Sequence, residues 1–513
     1  MKNQPRTFDS RALPRFLRAI YIAGLLPALV FLLNVQSLQA GSATWELNPA
    51  SGDWNAADNW MPTTVPNGPA DTAMFAFSHR TDLSVSASTE VNAIVFNPGS
   101  VGTKPFTITV SPTSTRRITK FIITGAGITN NTGEIENFVV AGALTEGGPR
   151  AEMFFLNNAA VHADNIHFTI NGGSLLRAGS DLVFSDHASA GGSTFTVNGG
   201  SRNAEGGVLL FNRDSSAANA TLVARPGVGN GGKIVFANAA GGGTARVQLF
   251  GSGGIHSRSD GFLDLTLARK HDGTPTALTI GSLEGDGVVF LAPTALRVGS
   301  NSENTLFSGL ISDGYGFGSG SLVKIGRGKL VLQRPNTYSG GTTVKGGRLV
   351  VNNRGESGTG SGPVQVDGGK LAGKGMIAGA VTIGTSSGAG AALAPGYLHG
   401  VNRPGSLTVL SPLTFNSDAI YQMELSSSNV TADGVIALGI TIKPGAQFTF
   451  SDISSGILTV GTVFTIIENA AATAIVGKFS NLSDGATFTS NGNTFKANYQ
   501  GGDGNDLTLT VVP

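Results

Sequence analysis

The chain has 513 residues, of which 74 are glycine and only 13% are charged, and this composition favours short strands and turns over helices. The 34 basic and 33 acidic residues give a formal net charge of +1, which excludes the strongly basic character of nucleic-acid-binding proteins. Cysteine is absent, which excludes disulfides, thiolate catalysis, thiolate-bound zinc and lipid attachment through an N-terminal cysteine. We therefore expect stability to come from a packed β core.

The first 40 residues have the order typical of a signal peptide. Basic residues at positions 2, 6, 11, 15 and 18 precede an apolar run from Ala19 to Leu33, and small residues follow at positions 40–43. The apolar run of about 15 residues is shorter than the about 20 that span a bilayer. We expect cleavage after Ala40 or Ala43, which would leave a secreted or cell-surface protein with no membrane span.

All three tryptophans, Trp45, Trp54 and Trp60, lie near the start of the expected mature chain. Together with Asp53, Asp58 and Asn59 they could stack and bind a sugar, because aromatic rings with nearby polar groups suit that task. A β-solenoid also needs a large apolar cover for its first coil, and this second interpretation is the favoured one. Residues 41–90 are therefore predicted to form an N-terminal cap.

From residue 91 the chain contains short apolar runs separated by glycine-rich and asparagine-rich turns. Between residues 166 and 265 an internal repeat appears, with a period in the mid-twenties. Two series follow this period: Phe168, Phe195, Leu222 and Leu249 at intervals of 27, and Phe184, Phe211, Phe236 and Phe262 at intervals of 27, 25 and 26. Such a period is typical of one coil of a three-sided parallel β-helix, in which equivalent residues stack in columns inside the helix.

Residues 319–353 contain three or four very short strands, each too short to bury a face unless another strand stacks on it. This stretch resembles the autotransporter-associated β-strand repeat. The signature of that family is a Gly-x-Gly-x-Leu-x-Leu strand, the segment Asn-Thr-Tyr-Ser-Gly-Gly-Thr-Thr-Val and a final Gly-x-Leu. The matching residues here are Gly326, Gly328, Leu330, Leu332, all of 336–344, Gly347 and Leu349.

The resemblance implies export and a right-handed parallel β-helix, and it says little about activity. The segment Gly52-Asp-Trp54 with Asn59-Trp60 also resembles the opening of exported proteins that carry the repeat. Autotransporters of this family usually end in a membrane barrel. Residues 412–513 instead have longer strand spacings that are typical of a C-terminal β-rich cap, so we expect the barrel to be lacking.

Parallel β-helices also include lyases and hydrolases that act on pectins, and the sequence offers little support for such an activity. Hydrolysis of a glycosidic bond uses two carboxylates on one face, yet the chain has no Asp-Asp pair and no Asn-Thr-Asp triplet. Of the features that could carry catalysis, His399 and Arg403, on one glycine-rich loop, come nearest to a catalytic pair. The seven histidines, at positions 79, 162, 167, 187, 256, 271 and 399, show no metal-binding spacing such as His-x-x-x-His.

Residues 501–509 resemble the glycine-aspartate nonapeptide that binds calcium in stacked repeats. The chain has one copy, which supplies only half of the ligands, and Thr508 stands where a large apolar residue is expected. Asp503 and Asp506 would be the ligands if calcium bound here. A turn before the last strand is the favoured interpretation.

These observations predict an all-β protein: a right-handed parallel β-helix (β-solenoid) with N- and C-terminal caps. The predicted segments are a signal peptide (1–40), a Trp-rich cap (41–90), the β-helix with its repeat at 319–353 (91–411) and a C-terminal cap (412–513). We expect an exported structural or surface-interaction protein, adhesin-like or in contact with matrix, without catalytic, cofactor-binding or metal-binding residues. Its expected partner is a cell-surface or extracellular glycan or protein. The alternative is a polysaccharide lyase or glycoside hydrolase on the same scaffold, which a carboxylate or calcium cluster on one outer face would indicate.

Overall fold

The structure is a computed structural model that describes residues 41–99, 104–112, 117–143, 149–174, 178–253, 258–314, 318–388, 390–398, 401–402 and 404–513. The predicted signal peptide lies outside the described residues, and so do His256, His399 and Arg403. Within the described part of the chain, no helix has the length and hydropathy needed to cross a bilayer.

The described residues form 45 strands and one 3₁₀ turn, Ala57–Asn59. The first strands are β1 (Ala43–Trp45), β2 (Trp60–Met61), β3 (Gly68–Phe75), β4 (Asp82–Val85), β5 (Thr89–Phe96), β6 (Thr107–Val110), β7 (Thr119–Asn130), β8 (Glu136–Val140), β9 (Ala151–Phe155), β10 (Ile166–Ile170), β11 (Asp181–Phe184), β12 (Thr194–Val197), β13 (Val208–Phe211), β14 (Thr221–Ala224), β15 (Lys233–Phe236), β16 (Arg246–Leu249) and β17 (Phe262–Asp264). The next are β18 (Ala277–Ile280), β19 (Ser282–Gly285), β20 (Val288–Phe290), β21 (Ala295–Val298), β22 (Thr305–Phe307), β23 (Leu310–Ser312), β24 (Ser321–Lys324), β25 (Lys329–Leu332), β26 (Thr342–Val344), β27 (Arg348–Val351), β28 (Val364–Val366), β29 (Gly369–Gly373), β30 (Met376–Ile377) and β31 (Val381–Ile383). The last are β32 (Ala391–Pro395), β33 (Tyr397–Leu398), β34 (Val401–Asn402), β35 (Ser406–Val409), β36 (Leu413–Phe415), β37 (Ala419–Ser426), β38 (Thr431–Ala432), β39 (Gly434–Ala437), β40 (Ile440–Ile442), β41 (Gln447–Asp452), β42 (Val463–Asn469), β43 (Thr487–Ser490), β44 (Asn493–Gly501) and β45 (Asp506–Val512).

Along most of the described chain, successive strands belong to different sheets, so the chain coils and each coil pairs with the next. Sheet 1 has the strand order β2-β1-β3-β5-β7-β9-β11-β13-β15-β17-β20-β23, and sheet 2 runs from β4 through the even strands to β16 and on through β19, β22, β25, β27, β29 and β32 to β37. Sheet 3 has the order β18-β21-β24-β26-β28-β31-β36-β40, and sheet 4 the order β30-β35-β39-β42-β45-β44-β43. Pairing between coils is parallel, for example β10 with β12 and β25 with β27. The predicted all-β parallel β-helix is confirmed.

The inward side chains of successive strands stack as the internal repeat predicts. Phe168 lies opposite Phe195 with ring centroids 4.6 Å apart, and both rings are buried. In the second series Phe211 lies between Phe184 and Phe236, with centroid distances of 5.2 and 4.9 Å. These columns of aromatic rings belong to one apolar core that extends from residue 43 to residue 511.

The predicted stacking is wrong for the last residue of each series, Leu249 and Phe262. Leu249 lies opposite Ala224 and not Leu222, because the coil from Leu222 to its true partner Val247 is 25 residues long. Phe262 lies opposite Lys233, 29 positions earlier, and not above Phe236. This odd shift moves the Phe262 ring to the outer face of the sheet, since neighbouring residues in a strand point to opposite faces.

The tryptophans cover the first coil. Trp45, Trp54 and Trp60 are all buried, and their indole N–H groups donate to the carbonyl oxygens of Arg80, Pro66 and Trp54 at 3.0, 3.1 and 2.7 Å. Rings in this position present no face to solvent, so the sugar-stacking alternative for these residues is wrong. Parallel pairing already begins at β1 with β3, and the segment boundaries stay predictions.

At the other end of the solenoid an asparagine takes the place of a further strand. The backbone N–H of Phe448 in β41 donates to Oδ1 of Asn481 at 2.8 Å, and Nδ2 of Asn481 donates to the Phe448 carbonyl at 2.7 Å. Beyond β42 the pairing becomes antiparallel through β45, β44 and β43. The N–H and C=O of Phe448, which a next coil would pair with, are satisfied here by a side-chain amide.

Shortening Phe211 should destabilise the solenoid far more than shortening its neighbour Leu210. Phe211 is fully buried between two rings, whereas Leu210 points outward and is half-buried. Phe211→Ala should cost about 3–5 kcal/mol and Leu210→Ala about 1 kcal/mol. Urea and thermal unfolding followed by circular dichroism measure both variants, and equal losses would contradict the stacking of these coils.

Candidate functional site

The residues that match the repeat signature serve first as internal structure. The amide of Asn336 accepts a hydrogen bond from the Ile311 N–H at 2.7 Å and donates one to the Gly358 carbonyl at 2.7 Å. It therefore joins the preceding and following coils at a point between the end of sheet 1 and the start of sheet 4. Sequence inspection recognised Asn336 as part of a motif but did not reveal this role.

Tyr338 also belongs to the interior. Its side chain is fully buried, and its hydroxyl lies 2.6 Å from Oγ1 of Thr342. Burial raises the pKa of Tyr338 far above its ordinary value, so the phenol stays neutral. The signature tyrosine therefore packs and anchors the following strand, and its hydroxyl is not available to a ligand.

The outer face of the same coils carries cations in one column. Lys329 of β25 lies opposite Arg348 of β27, and Arg348 lies opposite Lys370 of β29. These side chains border a cleft of about 350 Å³ that we call the basic groove, lined by Asn304, Arg327, Lys329, Gly347, Arg348, Gly369 and Lys370. The groove crosses three successive coils and so follows the direction in which the coils stack.

Glycine keeps the floor of the basic groove free of side chains. Gly347 and Gly369 both have positive φ values, 65° and 74°. A Cβ atom at Gly347 would lie 2.3 Å from the carbonyl oxygen of Gly328, and one at Gly369 would lie 2.5 Å from that of Gly347. Close stacking of the coils therefore requires glycine here, and the backbone itself forms the floor.

The charges of the basic groove differ from those on earlier coils. There the ion pairs join opposite charges on the outer faces: Lys120–Glu152 at 3.9 Å, Arg150–Asp181 at 2.7 Å, Lys233–Asp264 at 2.8 Å and Arg246–Glu284 at 2.7 Å. In the groove Lys329, Arg348 and Lys370 follow one another on adjacent strands, and Glu424 acts electrostatically on Arg348 and Lys370. Partial burial and, secondarily, the charge of Arg348 lower the pKa of Lys370.

Two carboxyl groups lie at the far end of this column. Nζ of Lys370 donates to Oε1 of Gln422 at 2.8 Å, and Glu424 follows on the same strand, β37. Burial raises the pKa of Glu424, against the opposing influence of Arg348 and Lys370. The sequence did not reveal this neighbourhood, because only the register of β29, β32 and β37 brings residues about 50 to 80 positions apart together.

Asp433 is the second carboxyl group, and its contacts are structural. Its Oδ1 accepts from the Gly405 N–H and its Oδ2 from the Glu424 N–H, both at 3.0 Å. Burial raises the pKa of Asp433 to about 7, the nearby charge of Glu424 adds to this, and the two hydrogen bonds and Lys374 oppose it. With both oxygens held by the backbone, Asp433 fixes the chain beside Glu424.

The other residues singled out by sequence lie apart from the basic groove. Asp506 is buried and its Oδ1 accepts from the Asn469 N–H at 2.9 Å, while Asp503 is exposed in the turn between β44 and β45. His162 contacts the Ala126 carbonyl and His271 contacts Asp214, each at 3.0 Å. In the described ranges no three His, Asp or Glu side chains are grouped so as to hold a metal ion.

Asp433 should make the folded protein less stable as pH rises from about 4 to about 7. Its raised pKa means that the folded state holds the proton across this range while the unfolded state has lost it, so folding binds protons there and stability falls with pH. Asp433→Asn should remove a loss on the order of 1–3 kcal/mol.

The measurement is urea unfolding at a series of pH values. Ser406→Ala, next to Gly405, changes no titrating group and is the control: it should shift the stability at every pH equally. An unchanged pH slope in Asp433→Asn would show that this carboxyl does not bind its proton as described.

Comparison with known families agrees with the geometry. Residues 322–351 match the family model described as passenger-associated-transport-repeat. They include β25 to β27, all of β24 but its first residue, and three basic residues of the groove lining, Arg327, Lys329 and Arg348. No curated protein matches the chain. The matched segment forms coils within a parallel β-solenoid, so the chain carries a repeat of the kind found in autotransporter passengers.

Proposed function

We propose that this protein is an exported structural or surface-interaction protein, adhesin-like or in contact with matrix, and that it has no catalytic activity of its own. A passenger-type repeat implies export to the cell surface or secretion. The observation that supports a contact role is the basic groove, a cleft on the outside of the solenoid that basic side chains from three coils line.

The core explains why such a surface suits binding. One apolar cluster extends from Ala43 to Val511, so the outer faces are fixed to a continuous packed interior. Neighbouring strands lie about 4.8 Å apart, which sets the spacing between contact residues before a partner arrives. A surface ordered in advance loses less conformational entropy on binding than a flexible one.

The proposal predicts saturable binding of the purified protein to intact cells or extracellular matrix. Fluorescently labelled protein would be titrated onto both, and protease treatment of intact producing cells would report whether the protein lies outside. A heat-unfolded sample of the same protein is the control, since it retains composition but loses the ordered faces. Retention inside the cell together with no binding to either surface would overturn the proposal.

A polysaccharide lyase or glycoside hydrolase is the second candidate, and Glu424 is the observation that favours it. A carboxyl group with a raised pKa beside Arg348 and Lys370 has the character of a general acid or base. Hydrolysis would need a second carboxylate, and its neighbour Asp433 has both oxygens bound by backbone N–H groups.

Incubation with neutral and acidic polysaccharides separates the two candidates. Unsaturated products and new reducing ends would be followed over time for the protein and for Glu424→Gln. We expect neither product from either protein. Product formation that Glu424→Gln abolishes, while Gln422→Ala retains it, would establish the enzyme and refute the non-catalytic proposal.

A further inference from the structure

We propose that Lys370 and Gln422 join in an intramolecular isopeptide bond, with Glu424 carrying the proton that the reaction moves. The observation behind this inference is that Nζ of Lys370 lies 2.8 Å from Oε1 of Gln422. The bond would fasten together coils whose linked residues are 52 positions apart in sequence. The inference concerns the covalent structure of the chain itself, so it goes beyond the proposed surface-interaction function and is tested separately from it.

The register of three strands brings the two side chains together. Lys370 of β29 lies opposite Ala392 of β32, and Ala392 lies opposite Ile420 of β37. Gln422 follows Ile420 by two positions, so it projects from the same face of sheet 2. The middle strand presents Ala392 and Ala394 on this face. Their small side chains let the long lysine side chain lie across β32 and reach Gln422.

The surroundings of the amine and the amide are partly apolar. Ala394 packs against a buried apolar cluster on the same outer face, formed by Val331, Val350 and Ala372. The reacting lysine and glutamine side chains are themselves half-buried. Water is therefore partly excluded from both groups, which disfavours a charge on the amine.

An amine attacks a carbonyl carbon in its neutral form, and the environment of Lys370 favours that form. Burial and, secondarily, the charge of Arg348 lower the pKa of Lys370, while Glu424 opposes this. Burial also raises the pKa of Glu424, against the influence of Arg348 and Lys370. A neutral amine and a protonated carboxyl group are the two forms from which the reaction starts.

The reaction balances without a further reagent. Nζ of Lys370 attacks the side-chain carbonyl carbon of Gln422, and a new N–C bond forms. Glu424, two positions along the same strand and on the same face, gives its proton to the departing Nε2 and receives one from the attacking nitrogen. The bond between Cδ and Nε2 breaks, and ammonia leaves. The reaction occurs once in each chain, so it adds no catalytic activity towards other molecules.

The test is mass spectrometry of the purified folded protein before and after digestion with trypsin. We expect a mass lower than the sequence predicts by one molecule of ammonia, and a branched peptide in which Lys370 is joined to Gln422. Trypsin should fail to cut after Lys370, since it needs a free lysine side chain. Two separate unbranched peptides, or an ammonia loss that maps to another residue, would overturn the proposal.

Variants assign the role of each group. Lys370→Arg keeps the charge and Gln422→Glu keeps a hydrogen-bond acceptor, but neither can release ammonia, so both should have the mass that their sequences predict. Glu424→Gln should also stay unlinked, and bond formation in that variant would overturn the role of this carboxyl group. Lys443→Ala and Gln447→Ala change an exposed lysine and an exposed glutamine later in the chain, and both control variants should form the bond.

The bond should also raise stability. It closes a loop across 52 positions and restricts the unfolded chain as a disulfide would, in a chain that has no cysteine. Lys370→Arg and Gln422→Glu should therefore melt several degrees below the unaltered protein, with unchanged circular dichroism spectra before melting. Equal melting temperatures for all three proteins would contradict a covalent link between these coils.

Discussion

The hydrogen bonds between one coil and the next are the interaction on which the rest of this structure depends. An isolated strand is not stable in water, and most of the described strands pair with strands of the preceding and following coils. Pairing in register then places equivalent inward residues above one another, which produces ring stacks such as Phe184, Phe211 and Phe236. The packing of the core thus follows from the hydrogen bonds between coils, and each stacked ring in turn stabilises the register of its strands.

Where the backbone hydrogen bonds between coils are interrupted, the side-chain amide of an asparagine takes their place. Asn336 joins two coils in the region where sheet 1 has ended and sheet 4 has not begun, and Asn481 pairs with Phe448 of β41. A primary amide carries the same donor and acceptor as the backbone and can reach a position that the main chain does not occupy. The repeat signature therefore contributes to folding through Asn336.

Sequence reasoning predicted the fold because alternation of apolar residues and a mid-twenties period are visible without a structure. It misplaced Leu249 and Phe262 because coil length changes locally, and a shift of two positions keeps the face while an odd shift reverses it. The basic groove escaped prediction for the same reason. Its cations at 329, 348 and 370 are 19 and 22 positions apart, in coils shorter than the period that the phenylalanines showed.

Coil length and coil spacing are independent in this fold. Residues that pair on adjacent coils are 19 positions apart at Lys329 and Arg348, 27 at Phe168 and Phe195, and 29 at Lys233 and Phe262. The distance between the paired strands is nevertheless that of any hydrogen-bonded pair. Hydrogen bonding between peptide groups therefore sets a constant spacing between coils, whatever the length of each coil. Insertions and deletions in the turns change the length of a coil but not the interval between stacked side chains on the outer face. A row of such side chains can therefore persist while the turns around it change.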